Sequence, residues 1–152
     1  MRCHRWFVKE NPAELNQCRI CADLGRDQHT LFVVEKDADI ENVERSDFKG
    51  LYFVLGGTIP LAADEPHKHI RLRELVERIE ADAAKGVLKE VILGLSATSE
   101  GDHTRLLLQE KLIPVSEAFK FKISSLGRGL STGSELEYAD PDTIASALSS
   151  RN

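Results

Sequence analysis

Short continuous apolar runs alternate along the chain with segments of helical periodicity, and this alternation limits the possible folds more than any other feature. Residues 31–34 and 51–55 are rich in β-branched and aromatic side chains, a pattern typical of strands buried on both faces. Further strands are predicted over residues 87–93 and 119–124. Because such strands need helices on both sides, the sequence predicts an α/β fold with a mainly parallel four-stranded sheet flanked by helices.

Helical patterns lie between the predicted strands. From residue 72 to residue 83 apolar side chains recur at 3.6 spacing, and Gly86 follows where a C-cap glycine belongs. Residues 104–112 form a leucine-rich helix that Pro114 is expected to end. A last helix is predicted to open at Asp140 and Pro141, with Ile144, Ala145 and Leu148 facing inward.

Charge and hydropathy exclude some classes of protein. The net charge is −5, and residues 31–152 carry 15 Lys and Arg against 21 Asp and Glu. This larger part of the chain therefore supplies no strong general attraction for phosphate, and DNA binding is expected to be weak or to occur only in a complex. No apolar run reaches the 18 or more residues of a membrane span, and the first residues lack a signal-peptide pattern, so a cytoplasmic location is expected.

The chain has three cysteines, Cys3, Cys18 and Cys21, and the last two have the spacing CxxC. In a reducing compartment such a pair is a candidate for metal binding or redox chemistry before it is a candidate disulfide.

Acidic residues follow two of the predicted strands. Glu35, Asp37 and Asp39 come after the first strand, while Glu100 and Asp102 flank a glycine after the third. Loops at the carboxyl ends of parallel strands line the crevice where α/β sheets bind ligands, and carboxylates converging there could hold Mg²⁺. The alternative is that these acids only stabilise the starts of helices.

A glutamate that ends the first strand, followed by an acid-x-acid motif after a later strand, resembles the Toprim domain of topoisomerases, primases and the RecR family of bacterial recombination mediators. Further stretches resemble the RecR family in particular. In chain order these are Cys18 to Cys21 with Arg26 and Asp27, then residues 33–35, 50–57, 98–104, 126–130 and 133–140.

The resemblance implies three segments and a function. The segments are a partial zinc-finger-like segment over residues 1–29, a Toprim domain over 30–125 and a C-terminal RecR-type arm over 126–152. The implied function is that of a non-catalytic scaffold in DNA repair and recombination. It would form a homo-oligomer and act with RecO and RecF to load the recombinase at single-stranded gaps. The Toprim acids would then bind partners, and no catalytic residue is expected.

The sequence departs from the family pattern at its start. A helix-hairpin-helix segment normally precedes the finger in that family, and this sequence, which begins at Met1 just before Cys3, is expected to lack it. The family's first CxxC pair appears as Cys3-His4-Arg5-Trp6, so Trp6 stands where the fourth thiolate is expected. Structural zinc is usually held by four ligands, and His4 is the nearby candidate for the fourth. The zinc site is therefore incomplete, and the alternative is ordinary thiols with Trp6 packed against the Toprim domain.

Two rival interpretations remain open. One is a small Mg²⁺-dependent Toprim nuclease or primase-like enzyme, which would need a basic groove, whereas residues 31–65 carry eight acids against three Lys and Arg. The other is a decayed fragment without activity. Tyr52 resembles a topoisomerase nucleophile only in residue type, and its apolar strand predicts a core position instead.

Overall fold

The computed structural model describes residues 2–6, 17–65, 68–126 and 148, and the described strands form one parallel sheet. The strands are β1 (Thr30–Val34), β2 (Leu51–Val54), β3 (Glu90–Gly94) and β4 (Lys122–Ser125), in the spatial order β2-β1-β3-β4. The helices are α1 (Arg19–Ala22), α2 (Asp37–Arg45), α3 (Leu72–Ala84) and α4 (Ser99–Phe119). The predicted α/β fold with a four-stranded parallel sheet is confirmed.

The core lies on both faces of β1, which is paired with β2 on one side and β3 on the other. Leu31 is in register with Leu51 and Val91, and every residue of 31–34 and 51–54 is buried. Connections between parallel strands are almost always right-handed, which puts α2 on one face and α3 and α4 on the other. The contact between α3 and α4 agrees with this arrangement.

Two strands are shorter than predicted. β3 begins at Glu90 rather than at residue 87, and β4 begins at Lys122 rather than at Phe119. Phe119 is the last residue of α4, and Lys120 ends that helix in the left-handed conformation at φ +61°. Phe119 belongs to the helix, but in the sequence it continues the apolar pattern of the following strand. Periodicity alone therefore does not show where α4 ends and β4 begins.

The helices differ more from the prediction. α4 begins at Ser99 rather than at residue 104, and the prediction that Pro114 ends it is wrong because the helix continues to Phe119. A proline lacks one N–H and so removes one hydrogen bond, a cost that neighbouring turns can offset through packing of buried residues such as Leu112. α2 was not predicted.

Two predictions about single residues of the helical segments are confirmed. Gly86 follows α3 with φ +71°, the left-handed conformation that favours glycine after a helix. Leu148 is buried, as expected for the inward face of the last helix. The other residues of the predicted helix, and of the C-terminal arm beyond residue 126, lie outside the described residues.

Arg26 connects the residues before β1 to the sheet. Its guanidinium donates two hydrogen bonds to the carboxylate of Glu44, at 2.6 and 2.9 Å, and further bonds to the carbonyl of Gly50. The hydroxyl of Tyr52 donates to the same carboxylate at 2.5 Å, and the ring of Tyr52 lies 5.8 Å from the guanidinium carbon. Tyr52 is thus a buried structural residue, as predicted.

Candidate functional site

Glu35 connects the carboxyl ends of β1 and β3. It follows β1 directly, is 9% exposed, and its Oε1 accepts a hydrogen bond of 2.6 Å from the backbone N–H of Ser96. Ser96 lies just past β3, the strand paired with β1. The buried carboxylate is thereby held at the edge of the sheet where ligands bind in α/β folds.

Asp37 and Asp39 lie in the first turn of α2. Asp39 is buried, and its Oδ2 accepts a hydrogen bond of 3.2 Å from the backbone N–H of Lys36. Asp37 accepts one of 3.3 Å from the backbone N–H of Trp6. Both carboxylates sit where the helix dipole favours negative charge, so these contacts match the alternative that the acids stabilise a helix start.

Glu100 and Asp102 occupy the first turn of α4 and are exposed. Glu100 accepts a hydrogen bond of 3.4 Å from the hydroxyl of Thr58, and Asp102 forms an ion pair of 3.5 Å with Arg105. Side chains two positions apart on a helix point to different faces. The expectation that both carboxylates turn toward one point from a loop is therefore wrong.

The start of α4 is fixed by residues that the sequence analysis did not single out. Thr98 is the N-cap, and its hydroxyl accepts a hydrogen bond of 3.0 Å from the N–H of Gly101. Gly101 packs so closely that an added Cβ would lie 2.0 Å from the carbonyl oxygen of Ser96. The preference of threonine for N-caps was a usable signal for Thr98, whereas the approach to Ser96 has no signal in the sequence.

Thr104 joins α4 to the loop after β2. Its buried hydroxyl donates to the carbonyl of Glu100 at 2.7 Å and accepts from the N–H of Ile59 at 2.8 Å. Ile59 belongs to the loop that follows β2, and its side chain is buried. This loop is therefore packed against the same helix turn that carries Glu100.

The three cysteines form a buried cluster, here called the cysteine cluster (Cys3, Cys18 and Cys21). Their sulfur atoms all lie within 4.8 Å of one another, with 3.4 Å between those of Cys3 and Cys18. Cys18 caps α1 and Cys21 lies within it, so one helical turn brings this pair together. Within the part of the chain that the structure describes, no other three His, Cys, Asp or Glu ligand atoms are grouped this closely. The cluster could hold a metal ion.

Hydrogen bonding distributes the protons unevenly over the cysteine cluster. Bonds donated by Cys21 and then Cys3 lower the pKa of the Cys18 thiol to about 2. Donation to Cys18 is also the main reason why the pKa values of Cys21 and Cys3 are raised. These hydrogen bonds favour the thiolate form of Cys18, and thiolates are the form that binds metals.

The side chains at the two candidate positions for a fourth ligand, His4 and Trp6, lie away from the cysteine sulfur atoms. The ring of His4 packs on Phe53 with 5.2 Å between centroids, and His4 is not a member of the cysteine cluster. Desolvation is the largest cause of the lowered pKa of His4. Trp6 is 75% exposed, so the alternative that it packs against the Toprim domain is wrong.

The segment that carries Cys3 is anchored to the edge of β2. The carbonyl of Cys3 accepts a hydrogen bond of 2.8 Å from the N–H of Val54. The buried side chain of Arg78 donates two hydrogen bonds of 2.8 Å, one to the carbonyl of Arg2 and one to that of Tyr52. The cysteine cluster therefore shares its support with the sheet.

The parallel sheet with acids after β1 and β3 defines a Toprim-type domain, and comparison with known proteins agrees. The model of the Toprim domain matches residues 29–124, and that of the RecR C-terminal region matches residues 129–152. The chain belongs to the RecR family. Recombination protein RecR of Bifidobacterium longum subsp. infantis is 39% identical over 142 residues, covering 93% of this chain and 67% of the relative.

Other relatives give the same result. Recombination protein RecR of Phocaeicola vulgatus is 39% identical over 146 residues, which cover 95% of this chain and 67% of that protein. The protein of the same name from Lacticaseibacillus casei is 35% identical over 149 residues, which cover 97% and 71%. Among the described helices, none has the length and apolar character needed to cross a membrane.

Proposed function

We propose that this chain is a non-catalytic scaffold of recombinational DNA repair that binds a basic partner protein through Glu100 and Asp102. The role of mediator in recombination and repair follows from membership of the RecR family. The observation that supports partner binding through Glu100 and Asp102 is the exposure of both carboxylates in the first turn of α4. Glu35 would stabilise this surface from the interior, since its buried carboxylate accepts a hydrogen bond from Ser96 in the segment between β3 and α4.

The proposed partners are RecO and RecF, with the chain acting as a homo-oligomer in the cytoplasm. Eight acids against three Lys and Arg in residues 31–65 favour a basic protein surface and repel a phosphate backbone. Contact with DNA is therefore proposed to be weak or to occur only in the complex. Mg²⁺ prefers hard oxygen ligands and keeps several waters, so at this surface it would be held by one carboxylate and water, since Glu100 and Asp102 point to different faces of α4.

The Glu100→Lys variant tests the partner surface. Placing a positive charge against a basic partner is expected to weaken RecO binding by about 100-fold, measured by isothermal titration calorimetry, because like charges at an interface cost several kcal/mol. The fold should be retained, since the side chain is exposed. Glu110→Lys is the matched control, an equal change of charge at an exposed position of the same helix.

The two variants also separate the proposal from its rival. Equal RecO affinity for the wild type and both variants would contradict the proposed surface. Magnesium-dependent DNA cleavage or primer synthesis that is lost in Glu100→Gln would establish the enzyme instead.

We also propose that the cysteine cluster holds zinc weakly. Zinc prefers four ligands, and the described part of the cluster supplies three. Trp6→Cys is expected to raise the zinc retained after dialysis against a chelator, because it restores the family's fourth thiolate. Trp6→Ser is the control, since it removes the indole without adding a ligand. Equal zinc content in the two variants would show that Cys3 is wrongly aligned with the family's finger.

A further inference from the structure

We propose that the cysteine cluster is a three-coordinate thiolate site that binds a soft monovalent ion, copper(I), in preference to zinc. This inference concerns the cluster alone and does not rest on the proposed partner surface. It refines the proposal of weak zinc binding, because it names the kind of ion for which three sulfur ligands are sufficient.

The first argument is the donor set. The three sulfur atoms lie within 4.8 Å of one another, so an ion between them can contact all three. The ring of His4 is held against Phe53, and the side chain of Trp6 points into solvent. Among the described residues near Cys3, neither His4 nor Trp6 presents a ligand to the sulfur atoms.

The second argument is burial. Cys3, Cys18 and Cys21 are 1%, 3% and 3% exposed. Zinc bound by three protein ligands takes a water molecule or a substrate in its fourth position, and such a position has to be reached from solvent. Copper(I) is soft, favours thiolates, and is satisfied by three of them. A closed pocket of three sulfurs therefore suits copper(I) better than zinc.

The experiment is a competition between the two ions on the metal-free 152-residue chain, kept reduced and free of oxygen. Copper(I) is offered against bicinchoninate, and zinc is offered against a chromophoric chelator. Copper(I) is expected to bind one per chain and more tightly than zinc, because soft thiolate ligands select copper(I) and three of them leave zinc without its fourth ligand. X-ray absorption at the copper edge should show three sulfur neighbours and no nitrogen or oxygen.

Two variants complete the test, and circular dichroism checks that each is folded. Cys21→Ser should lose most of the copper(I) affinity, and His4→Ala should leave it unchanged. Zinc binding as tight as that of copper(I), a nitrogen or oxygen neighbour at copper, or loss of copper(I) in His4→Ala would each overturn the proposal. So would full copper(I) affinity in Cys21→Ser. None of these measurements involves a partner protein, so their failure is distinct from failure of the RecO experiment.

Discussion

Replacing Arg26 by leucine is expected to lower the free energy of unfolding by about 3 kcal/mol. The change leaves the carboxylate of Glu44 without its bidentate partner and frees a carbonyl that the guanidinium caps, that of Gly50. Breaking a buried ion pair costs about 3–5 kcal/mol, and the lower end applies here because the side chain of Glu44 is 33% exposed. Urea denaturation of both proteins measures the difference.

Arg45→Leu is the matched control for this prediction, since Arg45 is exposed on the same helix as Glu44 and should change stability by less than about 0.5 kcal/mol. Equal effects of the two substitutions would contradict a structural role for Arg26.

The same network should make stability depend on pH. Burial raises the pKa of Glu44, but hydrogen bonds from Arg26 and Tyr52 outweigh it and leave the pKa below its ordinary value of 4.5. A carboxylate with a lowered folded pKa stabilises the fold above its unfolded pKa, and this contribution is lost as pH falls through the folded pKa. The wild type should therefore lose stability below about pH 4.5 more steeply than Arg26→Leu.

The second large effect is expected at Gly101. An alanine there would place Cβ 2.0 Å from the carbonyl oxygen of Ser96 and 2.7 Å from its hydroxyl, so backbone has to move. The expected loss is about 3 kcal/mol, typical of severe overpacking. The shift would also separate the N–H of residue 101 from the capping hydroxyl of Thr98, which accepts it at 3.0 Å.

Gly86→Ala separates this steric effect from the conformational one. Gly86 has φ +71° with nothing within 4 Å of an added Cβ, so alanine there should cost only about 1 kcal/mol. Thermal unfolding followed by circular dichroism compares the two variants. If Gly101→Ala were no more destabilising than Gly86→Ala, the close packing at the start of α4 would be disproved.

The sheet could be predicted because its signal is local. Residues 31–34 and 51–54 are apolar throughout, which leaves little choice except a strand buried on both faces. α2 was missed because the apolar residues that it buries are only Ile40 and Val43, too few to show a period. The length of α4 could not be predicted, because a proline such as Pro114 is a local signal for a helix end, whereas the packing that continues the helix beyond it has no local signal.

In the candidate sites, too, the features with a local signal could be predicted and those that depend on distant residues could not. The CxxC spacing predicts two members of the cysteine cluster, since one helical turn brings Cys18 and Cys21 together whatever surrounds them. The position of Cys3 depends on Arg78, 75 residues away, and no local pattern encodes such a contact. Glu100 and Asp102 stay predicted site residues, and the different directions of their side chains depend on where α4 begins.

The anchoring of Cys3 has a consequence for how the protein behaves at high concentration. Of the described strands, β2 lies at one border of the sheet, and the carbonyl of Cys3 occupies the N–H of Val54 there. An unpaired strand border is a template on which other chains can add and aggregate. An ion bound by the cysteine cluster, as proposed above, would keep Cys3 in place and so limit self-association, and removal of that ion by a chelator is expected to appear first as turbidity.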